Sequence, residues 1–199
     1  MLCILSSDFL EYLNSLVSML TWEWLKVSPA ERTGMLQIVF RSQLTRLLSY
    51  VEIQRLCLAA AKNNSKAGVT GFAVECGGAF LVSIEGDARE VREMLNRIIQ
   101  DPRHDTFDVV CCEEGIERRR FGTWAMNVMF LDDDLFWSRV FGADFSCDQL
   151  LSPRKMEPAF ALGLLSMAYQ YACAQAEMAS SLSSGRAGRL PRIRHMFRR

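Results

Sequence analysis

Residues 79–99 read AFLVSIEGDAREVREMLNRII, and this stretch contains the junction that decides the fold. Its first part, Ala79 to Ile84, is predicted to be a strand. Asp87 then starts a helix in which apolar residues recur at helical spacing, namely Val91, Met94, Leu95, Ile98 and Ile99. Asp101-Pro102 ends that helix, because the residue before a proline avoids helical backbone. A strand followed at once by an amphipathic helix predicts helices packed against a sheet.

The residues before this junction supply two more strands and another helix. Leu36 to Ser42 and Val69 to Cys76 are apolar stretches of strand length. Ser49-Tyr-Val-Glu52 has the pattern of a capping box, and the helix that it starts is expected to extend to about Asn63. Gly77-Gly78 predicts a tight hairpin between the second and third strands.

The residues after the junction complete the sheet and provide a cover for it. Phe107 to Cys112 and Ala125 to Phe130 are predicted to be strands, which gives the order β-α-β-β-α-β-β. This order predicts an α+β, ferredoxin-like fold: a five-stranded mixed sheet with two helices on one face. Leu135 to Val140 and a long helix from Glu157 to about Ser180 are expected to cap the other face.

The two ends of the chain differ from its centre. Residues 1–34 are predicted to be a helical extension or, equally, an artefact of a start codon placed before Met35. Residues 131–182 form the expected C-terminal helical cap, and residues 183–199 form a basic tail with six arginines and no acid. The formal net charge of the whole chain is zero, which argues against nucleic acid or a membrane as a partner.

Several kinds of site have no support in the sequence. The seven cysteines include no C-x-x-C pair and there are only two histidines, so no metal site is predicted. The cysteines are interpreted as small buried hydrophobic residues in a reducing compartment, which predicts a cytoplasmic protein. Phosphate-loop, dinucleotide-binding and nucleophile-elbow motifs are absent, so no enzymatic activity is predicted. Ala159 to Ala176 is uncharged but only weakly apolar, which favours a buried helix over a membrane span.

Five short motifs occur in a fixed order: Asn63-Asn64, Gly68-Val-Thr-Gly71, Ile84-Glu-Gly86, Asp101-Pro-Arg-His104 and Arg120-Phe-Gly-Thr-Trp124-Ala-Met126. With this order and spacing, residues 35–130 resemble a BLUF domain, the flavin-binding module of blue-light sensors. The resemblance implies the fold predicted above, with a flavin between the two helices. The implied cofactor is FAD, with FMN or riboflavin as substitutes.

The resemblance also implies residues that bind the flavin. Asn64 matches an asparagine whose amide bonds the carbonyl region of the ring, and Asn63 occupies the neighbouring position. Arg103 and His104 match an Arg-His pair near the flavin, where a guanidinium can donate to a ring carbonyl. From the residues alone, the asparagines could instead cap a helix, and Arg103-His104 could form a solvated turn.

Trp124 and Met126 match a pair on the last strand that, in this family, moves towards or away from the flavin. A core aromatic is the alternative for Trp124. Two positions depart from the family pattern: Phe40 replaces a tyrosine in the first strand, and Val82 replaces a glutamine in the third. Because that tyrosine donates an electron and a proton through that glutamine, the usual photocycle is predicted to be absent.

Two functions remain open at this stage. In the first, the chain is a flavin-binding sensory module that acts on a protein partner through its C-terminal cap or its basic tail. Alternatively, it is a cofactor-free interaction regulator that kept the scaffold. Self-association into a homo-oligomer is compatible with both.

Overall fold

The structure is a computed structural model that describes residues 34–122, 124–131 and 156–184, with side chains in the last segment described as far as residue 177. Contacts within the chain divide it between Gly34 and Met35, so the unit described here begins at Met35. The predictions for residues 1–34, for the segment around Leu135 to Val140 and for the basic tail lie outside the described residues.

A five-stranded mixed sheet forms the centre of the molecule, as predicted. The strands are β1 (Met35–Leu44), β2 (Thr70–Cys76), β3 (Ala79–Asp87), β4 (His104–Ile116) and β5 (Asn127–Phe130). The helices are α1 (Tyr50–Lys66), α2 (Ala88–Ile99) and α3 (Pro158–Ser184). The strand order is β4-β1-β3-β2-β5, and all pairs are antiparallel except β2 with β5.

Local signals in the sequence placed most of these elements. Ser49 and Glu52 form the reciprocal capping box at the start of α1. Gly77 and Gly78 both have positive φ, at 58° and 88°, which is the backbone of a two-residue hairpin turn. The Asp87 side chain caps α2 by accepting from the backbone N–H groups of the first helical turn.

Several predicted bounds were wrong, among them those of β4, β5 and α1. β4 is 13 residues long because it pairs along the whole of β1 through several register shifts, whereas the apolar pattern marked only its centre. β5 begins at Asn127 and not at Ala125, where ladder pairing with β2 starts. α1 continues past Asn63 to Lys66, because the N–H of Ala67 closes the helix on the carbonyls of residues 63 to 65.

The two faces of the sheet bury different layers. The face covered by α1 and α2, called here the helix-pair face, holds Leu36, Ile38, Phe40, Val82 and Ile84 among its buried side chains. The opposite face, called the α3 face, buries alternate residues of the same strands. Adjacent Cys111 and Cys112 point to opposite faces, as strand alternation requires.

Helix α3 caps the second face, as predicted. Its residues Ala161, Leu164, Leu165 and Ala168 are fully buried against the sheet. The spacing of these residues places them on one stripe of the helix. Within the described part of the chain, no helix combines the length and the hydropathy needed to span a bilayer.

The cysteine prediction needs one correction. Cys57, Cys111, Cys112 and Cys173 are free thiols, but Cys76 is disulfide-bonded. A disulfide requires two sulfurs brought together by the fold, which scattered positions along the sequence do not reveal. The interpretation of the cysteines as small buried residues in a reducing compartment is therefore wrong for Cys76.

The docking of α3 can be tested at Gly122. This residue has a φ of 67°, and a Cβ added to it would collide with the hydroxyl of Tyr169 on α3. Gly115 has a φ of 70° but open space around it, so it is a matched control for backbone strain alone. Gly115→Ala is expected to lower the free energy of unfolding by about 1 kcal/mol.

Gly122→Ala is expected to lower the free energy of unfolding by about 1–3 kcal/mol more than Gly115→Ala does, because Tyr169 must move. Denaturant unfolding of the two variants measures this difference. Tyr169→Phe in the Gly122→Ala background should reduce this excess by removing the colliding oxygen. Equal losses in the two alanine variants would show that Tyr169 is not packed over Gly122.

Candidate cofactor site

A close corner forms where the end of α1 meets β2 and the start of β5. The Asn64 side chain is 4% exposed, and its Nδ2 donates to the Ala125 carbonyl at 2.7 Å. A Cβ on Gly71 would lie 2.8 Å from Met126 Sδ and 3.4 Å from Asn64 Nδ2. Asn64 and Met126 therefore meet over Gly71, and the missing side chain of that glycine makes the approach possible.

The wall next to this corner is apolar. Phe40 and Val82 are direct partners in the β1–β3 ladder, and both are buried on the helix-pair face. Phe40 also stacks on Phe107 of β4, with ring centroids 4.8 Å apart. The two positions predicted to depart from the family pattern are thus neighbours in one surface.

Arg103 and His104 lie at the other end of α1. The Arg103 carbonyl accepts from the Thr45 N–H at 2.9 Å, next to the first turn of the helix. Its guanidinium is exposed and its Nε donates to both carboxylate oxygens of Asp101 at 2.9 Å. These bonds from Arg103 lower the pKa of Asp101 to about 2.

His104 is partly buried opposite Leu44 at the edge of the sheet. Its Nδ1 is buried without a hydrogen-bond partner. Burial lowers the pKa of this imidazole, which favours the neutral form. A neutral histidine with an unpaired ring nitrogen can bond to a polar ligand group.

A cavity of about 310 Å³ opens beside Arg103. It is lined by the end of β1, by the connection to α1 and by the first turns of α1, namely Leu44, Thr45, Arg46, Leu48, Glu52, Arg55, Leu56 and Arg103. The cavity and the Asn64 corner therefore lie at opposite ends of the same helix.

Two predicted residues lie away from the helix-pair face. Trp124 packs on the α3 face, with ring centroids 5.2 Å from Tyr169 and 6.3 Å from Phe72. Asn63 is exposed on α1. The structure thus brings Asn64, Met126 and the two departing positions to one face and leaves Trp124 on the other.

Sequence reasoning missed the buried carboxylate of Glu85. It is 1% exposed and accepts from Gln37 Nε2 at 2.6 Å and from the backbone N–H groups of Arg120 and Phe121 at 3.0 and 3.3 Å. Arg119 on the same connection donates to the Thr70 hydroxyl at 2.8 Å. A charged residue within a buried strand, inside the Ile84-Glu-Gly86 motif, was the signal that could have found it.

These contacts hold the connection between β4 and β5 against the sheet. Trp124 follows this connection, and its carbonyl accepts from the Gly71 N–H at 3.1 Å. Two of the motifs recognised in the sequence therefore bond to each other in the structure. Burial raises the pKa of Glu85, although the backbone bonds from Phe121 and Arg120 act in the opposite direction.

The fold is a ferredoxin-like α+β domain with a helix pair over one sheet face. Residues 35–127 match the family model BLUF, described as sensors of blue-light using FAD. The match covers a little under half of the chain, and this segment is similar to that family.

Proteins of several kinds resemble the chain. It is 31% identical over 101 residues to the photoactivated adenylate cyclase subunit beta of Euglena gracilis, which covers 51% of this chain and 12% of that protein. It is 28% identical over 94 residues to the blue light- and temperature-regulated antirepressor BluF of Escherichia coli K12, covering 47% and 23%. The chain thus spans less than a quarter of the length of either relative.

A solved structure supports the fold. The photo-activated state of BlsA superposes with a TM-score of 0.53 at 20% identity, covering 67% of this chain and 96% of that one. At this identity the likeness establishes the architecture of the domain alone.

The role of Glu85 can be tested through the pH dependence of stability. Its folded pKa lies above the ordinary value of 4.5, so its favourable contribution is complete below pH 4.5 and is lost as pH rises through the folded pKa. The free energy of unfolding of the wild type, minus that of Glu85→Gln, should therefore fall as pH rises. Urea titrations from about pH 4 to pH 8 measure this difference.

The test uses the change of this free-energy difference with pH. A cost of replacing the carboxylate by an amide that is the same at every pH therefore does not affect it. A difference that stays flat, or that rises with pH, would contradict a raised pKa at Glu85.

Proposed function

We propose that residues 35–130 bind FAD and act as a sensory module that lacks the usual BLUF photocycle. We further propose residues 131–182 as a helical cap and residues 183–199 as a basic tail, both available for protein contacts. The observation that carries the proposal is the pairing of Phe40 with Val82 in the β1–β3 ladder. Both positions lie on the face where the domain family places its flavin.

The polar groups on this face support a flavin ligand. Asn64 uses one N–H for Ala125 and retains a second N–H and a carbonyl oxygen, a donor and an acceptor suited to the pyrimidine edge of the ring. Ser42 Oγ and His104 Nδ1 are buried without partners. Since buried polar atoms are nearly always paired in the functional state, these two atoms favour a polar ligand here. A bound flavin would supply light absorption and redox chemistry.

The paired replacement explains the loss of the photocycle. Phe40 has no hydroxyl to release a proton, and Val82 has no amide to relay it or to bond the ring. Removing one member of a buried hydrogen-bonded pair costs about 1–3 kcal/mol, whereas replacing both by apolar groups is close to neutral. Phe40 and Val82 together therefore form a stable apolar wall.

Signal output is proposed to pass through protein contacts and not through an active site in this domain. Trp124 packs on Tyr169, so the connection after β4 contacts α3 directly. Met167 and Tyr171 on the same helix are exposed large side chains. A protein partner, or a second copy of the chain, could bind there or at the basic tail.

A cofactor-free regulator is the second candidate. The stacked rings of Phe40 and Phe107 favour it, because they fill part of the face that would otherwise receive the flavin. In this case the domain would act only by binding a partner.

A measurement of FAD retention distinguishes the two candidate functions. The purified full chain, mixed with excess FAD and desalted, is expected to keep a flavin absorption band and to be yellow. A protein that remains colourless after this treatment supports the cofactor-free regulator and rules out the flavin-binding proposal.

The photocycle is tested by restoring the replaced residues. Illumination of the flavin-loaded wild type is expected to give no reversible red shift. Phe40→Tyr combined with Val82→Gln should give one, while each single variant should not, because the relay needs both groups. A red shift in the wild type would contradict the proposed loss.

A further inference from the structure

Helix α1 carries large apolar side chains on the surface that faces away from the sheet. Leu58 is 72% exposed and Val51 is 52% exposed, and Leu47, just ahead of the helix, is 73% exposed. Among the residues that the structure describes, four of the seven exposed large apolar side chains lie on α1 or just before it. Exposed apolar residues that cluster in this way, and are not scattered singly, mark an interaction surface.

Apolar and basic residues share one line along this surface, called here the outer stripe: Val51, Arg55, Leu58, Lys62 and Lys66. All of them are exposed. At 3.6 residues per turn they lie within an arc of about 80° and extend about 22 Å along the helix axis. Ile53 and Asn64, which are the buried residues of the helix, lie on its opposite side. The outer stripe is therefore one continuous surface directed away from the sheet.

The outer stripe carries positive charge without a compensating acid. Arg55, Lys62 and Lys66 form no ion pair with any residue in the ranges that the structure describes. Glu52, the acidic residue of α1, accepts from the Ser49 N–H in the capping box and from Arg46. Because interacting surfaces have complementary charge, a partner for this stripe should present carboxylates.

The spacing of the outer stripe matches the surface of a second helix. Val51 and Leu58 are seven residues apart, and a basic residue, Arg55 or Lys62, follows each of them by four. A coiled-coil seam has this arrangement, with apolar residues at one heptad position and charged residues beside them that pair with acids on the partner helix. A β-strand fits less well, because the backbone groups within α1 are bonded in the helix and cannot form a ladder.

Two other occupants are less compatible with the outer stripe. In a second copy of the chain, Arg55 and Lys62 would oppose the same cations, and such like-charge contacts are repulsive. Helices that lie on membranes separate their apolar and basic residues onto different faces. Here Arg55 and Lys62 lie in the same arc as Val51 and Leu58. An acidic helix from another protein satisfies both the apolar and the basic residues.

We propose that the outer stripe of α1 docks an acidic amphipathic helix of another protein. Val51 and Leu58 pack on the apolar seam of that helix, and Arg55 and Lys62 pair with its carboxylates. The apolar contacts supply most of the affinity, whereas exposed ion pairs are weak individually and act mainly on partner choice. This surface is separate from α3, and docking on it requires no flavin.

The test measures the binding of three labelled peptides to the full chain by fluorescence anisotropy. Each is a helical peptide of about 18 residues, long enough to cover the outer stripe. All three have leucines at the heptad seam, and they carry glutamate, glutamine or lysine at the flanking positions. The glutamate peptide is expected to bind about tenfold more tightly than the glutamine peptide, and the lysine peptide should bind most weakly. Added salt should weaken the glutamate peptide.

Variants of the stripe are compared with matched changes elsewhere. Leu58→Ala is expected to weaken the glutamate peptide by about tenfold, because apolar contacts are lost. Lys62→Glu should also weaken it and should strengthen the lysine peptide, a reversal that loss of folding cannot produce. Arg55 is left unchanged because it also lines the cavity at the start of α1. Val109→Ala on β4 and Arg97→Glu on α2 change exposed residues outside the stripe and should have no effect.

Three outcomes would overturn the proposal. The first is equal affinity for the three peptides, or no saturable binding of any of them. The second is unchanged binding of the glutamate peptide by both Leu58→Ala and Lys62→Glu. The third is cosedimentation with phosphatidylserine vesicles that both variants abolish while no peptide binds, which would assign the stripe to a membrane surface. These results do not depend on FAD retention, so the flavin proposal is tested separately.

Discussion

The carboxylate of Glu85 is the interaction on which the rest of this domain depends. A buried charge is expensive unless it is bonded, and here it accepts from one side chain and two backbone N–H groups. Those backbone groups belong to Arg120 and Phe121, on the connection that leads to β5. A single residue in the central strand β3 therefore fixes where the chain must return to the sheet.

The point at which the chain returns to the sheet to form β5 determines which side chains reach each face. After the anchored connection, the Trp124 carbonyl bonds to β2, and Ala125 receives the amide of Asn64. On a regular strand Trp124 and Met126 would share one face, but the chain bends at Ala125 before β5 begins, so the two side chains pack on opposite faces of the sheet. Met126 is thus beside the proposed flavin, while Trp124 contacts α3 through Tyr169. The same short segment therefore contacts both the helix-pair face and α3.

The candidate site was only partly predictable. Asn64 was assigned from its place in a motif, and its burial at the Gly71 corner agrees with a pocket residue. Trp124 was matched by the same reasoning to a residue that moves towards or away from the flavin, and it packs on the α3 face. A linear motif does not specify which way a segment is turned. The unpaired atoms of Ser42 and His104 have no signature in the sequence, since a missing partner is a property of the packed core.

The sequence alone determined the elements and their order. The hairpin glycines, the capping box at Ser49 and the helical stripe that begins at Val91 act through neighbouring residues, so they are visible without tertiary contacts. It also determined that positions 40 and 82 lack polar groups, because side-chain chemistry does not depend on the fold. Only the tertiary structure showed that Phe40 and Val82 are ladder partners and that Glu85 binds a segment 35 residues further along the chain. Such contacts depend on which strands become neighbours, and that is fixed by the packing of the whole sheet.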